Sequence, residues 1–179
     1  MTPPREESGA GDTATLFMRK TVYEAIRFHG EETYPHECCG ALLGYPTMEG
    51  WRITDSARAG NTRTDSAHNR YQIAPIELVR IQRSARANGV EIAGFYHSHP
   101  DHPAHWSETD FAEAHWLGCS YVITSIAQGK ATVTNSFLLA GTTEEDKRFE
   151  KQIIQLEESP EDSEEEPTLQ ESNPMKDRR

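Results

Sequence analysis

Apolar positions first recur at helical spacing near the start of the chain. Val22, Ile26 and His29 fall three or four residues apart, Ala25 widens the stripe and Pro35 follows, so a helix is predicted over about 19–33. CCGALLGY, from Cys38, is a short apolar run bounded by turn residues, the pattern of a buried strand. GWRITDSARAGN, from Gly50, alternates more weakly and reads as its hairpin partner; NRYQIAP, from Asn69, reads as a third short strand. In PIELVRIQRSARANG, Pro75 sits near the first turn, Ile76, Leu78, Val79 and Ile81 are the apolar positions, and Asn88-Gly89 is the stop, which predicts a second helix. VEIAGFYHSH predicts a strand that Pro100 stops. Ser107 opens a third helix to about Leu117, where Gly118 stops it. SYVITSIAQ and ATVTNSFLLA are two strands around the Gln128-Gly129-Lys130 turn, and Phe149, Ile153, Ile154 and Leu156 have the spacing of a last helix.

These elements divide the chain into a lead-in at 1–15, expected to be disordered, a domain at 16–140, a C-terminal helix at 141–158 and an acidic tail at 159–179, also expected to be disordered. There is no internal repeat. The order predicts an α/β (α+β) sandwich with a mixed, mostly antiparallel sheet and flanking helices.

Composition narrows the function classes. The 179 residues amount to about one domain, and the low hydrophobic content of 35% fits polar tails around a smaller folded unit. Net charge is −11; residues 141–179 hold 13 acidic and 6 basic residues, or −7, leaving −4 for the body. That balance argues against non-specific binding to nucleic acid or to an anionic membrane. Cys38, Cys39 and Cys119 are too few, and odd in number, for a disulfide framework. No apolar run approaches the roughly 20 residues that span a bilayer. The first residues, MTPPREESGAGD, lack the apolar core of a secretory signal, so a soluble cytoplasmic protein is expected.

The candidate chemistry lies in HSHPDHPAHWSETD, from His97. On a strand His97 and His99 leave the same face, about 6–7 Å apart at Cα, and two imidazoles can lean from there onto one ion; Ser98 points the other way. A His-x-His pair alone is a weak signal. Ser107 fits a helix N-cap and Asp110 the first helical turn, where a carboxylate is favoured. Read alone, they are a capping motif. Read with the histidines, two imidazoles and one carboxylate form a three-ligand set that leaves a fourth position for water, the composition of a catalytic zinc site. Hydrolysis then needs a base, and Glu37, just before the buried strand, is the candidate. The alternative is a loop-facing glutamate at a strand edge.

Together these residues resemble the JAMM signature of the MPN-plus (Mov34) zinc metalloproteases: Glu37, then His97-Ser98-His99, seven residues (PDHPAHW), Ser107, two residues, Asp110. The flanks PHECCGALLG and GFYHSHP are also similar to that family, over roughly residues 16–140. The resemblance implies the MPN/cytidine-deaminase-like fold and one Zn2+ with a bound water, held by His97, His99 and Asp110. It implies that Glu37 takes a proton from the water and passes it to the leaving amine, and that Ser107 donates to the oxyanion. It further implies cleavage of a peptide or isopeptide bond at the C-terminal tail of a ubiquitin-like protein. For a stand-alone prokaryotic type the expected task is processing a sulfur-carrier protein, with a homodimer as a plausible assembly. The other reading is a catalytically inactive MPN scaffold for protein–protein interaction. His-Glu-x-x-His is absent, as is the Pro-Cys-x-x-Cys of zinc deaminases.

Other residues attract blander readings. His102 and His105 read as a solvated loop; His29, His36, His68 and His115 as surface or packed histidines; Trp106 and Trp116 as core or rim packing. Adjacent Cys38 and Cys39 should face opposite sides of a strand and so not share an ion.

Overall fold

The computed structural model describes residues 13–60 and 72–158. Within them run β1 (Thr15–Arg19), α1 (Lys20–Thr33), β2 (Cys39–Thr47), β3 (Gly50–Ala59), α2 (Pro75–Ala87), β4 (Glu91–Pro100), α3 (Glu108–Glu113), β5 (Ser120–Ala127), β6 (Lys130–Ala140) and β7 (Arg148–Glu157). The chain is therefore α+β, with a mixed sheet. β2 pairs antiparallel with β3 and β4, as do β5 with β6 and β6 with β7; β1–β3, β1–β7 and β4–β5 are parallel. The strand order β1-β3-β2-β4-β5-β6-β7 returns to β1, so the sheet curls until its edges meet and the ring has no free edge.

Strand alternation sends side chains to two apolar clusters, one on each face. On one, Val22 and Ile26 of α1 pack with Leu16, Met18, Leu42, Ile53, Tyr96 and Val122. On the other, Ile81 and Ala85 of α2 pack with Ala41, Leu43, Phe95, Tyr121 and Leu139. Each large side chain buried in this way contributes about 1.5–3 kcal/mol. Cys38 belongs to the first cluster and Cys39 to the second, as the alternation requires. β4 runs so close to β5 that a Cβ on Gly94 would meet the Ser120 carbonyl oxygen. Only glycine lets the strand that carries both candidate histidines sit there.

The expected C-terminal helix at 141–158 is wrong: Arg148–Glu157 is a strand. Its backbone groups bond to β6 on one side and β1 on the other, and this closes the ring. The apolar residues misled because they do not all face inward: Phe149 and Ile154 pack against the core clusters and the other two do not. Ile153 and Leu156 are exposed, while Gln152 is buried and its side-chain oxygen accepts the Ser136 hydroxyl at 2.8 Å. β1 also went unread, so the expected lead-in at 1–15 ends too late, at the first residue of a strand. Residues 1–12 of that lead-in and the tail at 159–179 lie outside the described residues. So do residues 69–71 of the strand expected in NRYQIAP; its described part is not strand, since Gln72–Ala74 lead straight into α2 at Pro75. α3 ends at Glu113 rather than near Leu117, because Trp116 leaves the helix to pack edge-on against Phe95, at 5.2 Å between ring centroids. Among the described residues no helix is long and apolar enough to cross a membrane.

Candidate active site and metal centre

The end of β4 supplies two imidazoles and the start of α3 a carboxylate. His97 and His99 leave the same face of β4 with their Nε2 atoms 3.0 Å apart. Ser98, between them, faces away and accepts the Cys38 N–H at 2.9 Å. A seven-residue connection brings the chain to α3. There Ser107 is the N-cap of a capping box: its Oγ accepts the Asp110 N–H at 3.1 Å, and Asp110 Oδ2 accepts both the Ser107 N–H and its hydroxyl at 2.7 Å. The cap turns the Asp110 carboxylate toward the histidines, with Oδ1 3.4 Å from His97 Nε2 and Oδ2 3.5 Å from His99 Nε2. Three ligands on a tetrahedral ion, bonded at about 2.0–2.1 Å, would lie roughly 3.3–3.4 Å from one another. The three side chains fit that pattern, and among the described residues no other group of His, Cys, Asp or Glu is placed to hold a metal.

The pKa values of the two histidines are shifted in opposite directions. Burial lowers the pKa of His97 against the pull of Asp110, which favours the neutral ring. Burial pushes His99 the same way, but its bonds to Asp110 and to the Pro103 carbonyl outweigh it and raise its pKa. His99 Nδ1 donates its N–H to the Pro103 carbonyl oxygen at 2.9 Å, which holds the orientation of the ring and turns Nε2 toward the triad. Burial opposes ionisation of Asp110, yet bonds with His97, His99 and the Ser107 N–H hold its carboxyl well below the usual range. The centre thus offers two ring nitrogens, which bind a metal in their neutral form, and one anionic oxygen.

Glu37 reaches the same place from a distant segment. The β2–β4 ladder pairs Cys39 with His97, and the Ser98 N–H continues it to the Cys38 carbonyl at 3.2 Å. One step further, the register sets Glu37 beside His99. Glu37 is only 5% exposed, and burial, opposed by His99 and aided by Asp110, raises its pKa to about 8. A cavity of about 420 Å³ is walled by Glu37, His99, Ser107, Trp106 and Thr109, and by His102, Pro103 and His105. A second, of about 270 Å³, has Asp110 at its wall among Ile73, Leu78, Phe95, Trp116 and Tyr121.

All five residues singled out from the sequence therefore lie around one centre. His102 and His105, set aside as a solvated loop, are exposed but line its cavity, and His105 also packs against Trp106 and Phe137. Their spacing from His99 was the available signal. Trp106 packs against Phe111 and Phe149 as expected and in addition walls the cavity. His29 is buried against the Tyr96 hydroxyl and His115 lies near Glu144, while His68 lies outside the described residues.

Comparison with known proteins bears on this geometry. Residues 19–140 match the Prok-JAB family, described as prokaryotic homologs of the JAB domain. Over 91 residues the chain is 33% identical to desampylase of Haloferax volcanii, an overlap that spans 51% of this chain and 63% of that protein. A solution structure of a Desulfitobacterium hafniense protein superposes with a TM-score of 0.71 at 26% identity, covering 83% of this chain and 97% of its own. One from Salinibacter ruber gives 0.59 at 33% identity, covering 77% and 90%.

Proposed function

The chain belongs to the prokaryotic JAB-domain family, and from that membership and the geometry of its site we propose that it is a zinc-dependent peptidase. Its proposed target is a peptide or isopeptide bond at the C-terminal tail of a ubiquitin-like protein. The finer proposal is that it processes a sulfur-carrier protein by removing a C-terminal residue or extension beyond Gly-Gly. One observation carries the reading: His97, His99 and Asp110 converge within 4.8 Å, and Glu37 and His99 share one cavity wall. Similarity to desampylase supports hydrolase chemistry, although the chain aligns with less than two thirds of that protein.

His97 Nε2, His99 Nε2 and the Asp110 carboxylate would hold the zinc. Bound there, zinc supplies Lewis acidity, which polarises a carbonyl and brings the pKa of a water to about 7. Glu37 is the proton carrier. Buried on the cavity wall beside His99, its carboxylate would accept a proton from the attacking water and release it to the leaving amine nitrogen. The balance is one amide and one water giving one carboxylic acid and one amine. The Ser107 hydroxyl, now directed at Asp110, lies on the cavity wall and turns about its Cα–Cβ bond to donate to the substrate's carbonyl oxygen. An inactive scaffold has no need of this donor set, which is complete.

The test is intact-mass measurement of a ubiquitin-like protein bearing a C-terminal extension past Gly-Gly, before and after incubation with the zinc-loaded protein. Loss of the extension, blocked by a chelator and restored by zinc, is expected. An unchanged mass across a panel of such substrates contradicts the reading.

A further inference from the structure

Glu37 stands on a short segment without a ladder of its own. α1 ends at Thr33 and β2 begins at Cys39, so residues 34–38 cross from helix to sheet between them. The segment is tied at both ends to the stretch that carries His99. Downstream, the Cys38 N–H donates to Ser98 Oγ at 2.9 Å and the Ser98 N–H to the Cys38 carbonyl at 3.2 Å. Upstream, the Tyr34 hydroxyl donates to Asp101 Oδ2 at 2.8 Å. Asp101 is itself anchored: its Oδ1 accepts the Gln128 N–H at 2.8 Å, and its own N–H donates to the Ile126 carbonyl at 2.7 Å. Its backbone is left-handed, with φ 53°, a conformation that aspartate tolerates better than most residues.

We propose that Tyr34 and Asp101 form a clamp that positions Glu37 beside His99. The clamp is a structural statement; its catalytic meaning rests on the peptidase reading above. The two ties bracket the pair, with Cys38–Ser98 on one side and Tyr34–Asp101 on the other. The need for a second tie follows from the burial of Glu37. A carboxyl group taken out of water favours any motion that returns it there, and a segment held only at Cys38 could swing about that point. Asp101 resists the swing because its position is set independently by the β5–β6 turn. Tyr34 and Asp101 are positioning residues in this account; neither lines the cavity that holds Glu37 and His99.

The three cysteines provide a readout. All are buried, and Cys38 is next to Glu37 whereas Cys119 is on a different strand-end segment. Opening of the segment should therefore expose the Cys38 thiol to dithiobis(nitrobenzoate). In the full chain, Tyr34→Phe removes the clamp's donor. Asp101→Gly removes its acceptor and keeps the left-handed backbone comfortable, and Asp101→Asn keeps an acceptor for the Gln128 N–H while its amide N–H can donate to the Tyr34 oxygen. Modification of Cys38, located by peptide mapping, should quicken about tenfold in Tyr34→Phe and in Asp101→Gly, the scale of one lost charge-assisted bond. Cys119 should be unaffected and Asp101→Asn close to the parent. In a preparation that cleaves a C-terminally extended ubiquitin-like protein, kcat should fall about tenfold with KM and zinc content unchanged, and Asp101→Asn should restore it. Unchanged Cys38 reactivity in Tyr34→Phe overturns the clamp, whether or not the protein proves to be a peptidase. Faster Cys38 modification with full activity overturns its positioning role.

Discussion

His97 and His99 face each other through their Nε2 atoms at 3.0 Å, with the Asp110 carboxylate about as far from each. Two N–H groups cannot both point across that gap, so at least one nitrogen offers a lone pair to the space between them. A divalent cation satisfies both.

His99→Ala should therefore lose metal and activity together. By elemental analysis the parent is expected to carry about one zinc per chain and the variant almost none, because a site reduced to two ligands no longer matches a three-ligand zinc centre. Zinc should also raise the melting temperature of the parent and leave that of the variant unchanged, since a ligand that binds only the folded state stabilises it. Cleavage that survives in His99→Ala would point to a different site.

Ser107 has two separable tasks. As N-cap it holds a helix of only six residues, and Ser107→Ala should cost about 1 kcal/mol of stability. As oxyanion donor it should be worth about 10²–10³ in kcat. Thermal unfolding and kcat at saturating zinc distinguish them: a lower melting temperature with kcat within about twofold would leave Ser107 as a cap alone.

The acid limb of stability should depend on His29. Burial, with help from Arg58, lowers its pKa to about 4, while the unfolded value is about 6.5. The folded state thus binds fewer protons than the unfolded state between those pH values. Stability is fully present above pH 6.5, declines as pH falls toward 4 and has no further contribution from this group below that, by up to about 3 kcal/mol. Urea unfolding of the parent and of His29→Gln at several pH values tests this. The difference between the two should shrink on acidification; a constant difference would show that His29 is not held neutral.

The parts of the site that were legible in the sequence are those fixed by local geometry. Strand alternation put His97 and His99 on one face, and a Ser-x-x-Asp cap placed Ser107 and Asp110 at one helix start. Glu37 was legible only as a candidate base before a buried strand, with a loop-facing glutamate as the alternative, because its place is set by the pairing of Cys39 with His97, 58 positions apart. The closing strand was not legible for a related reason. Arg148–Glu157 is a strand because β1 and β6 complete its backbone bonds from both sides, and its buried residue is a glutamine. β1 escaped notice because five residues, Thr15–Arg19, are too few to show a period, and their burial comes from partners far along the chain.

The most direct test of the account is Glu37→Gln, measured for zinc content and for cleavage of the same C-terminally extended ubiquitin-like protein. Glutamine keeps the shape of the side chain and cannot carry the proton. One zinc per chain is expected, as in the parent, with a cleavage rate lower by about 10²–10⁴. Cleavage at the parent's rate by a fully zinc-loaded Glu37→Gln protein would contradict it.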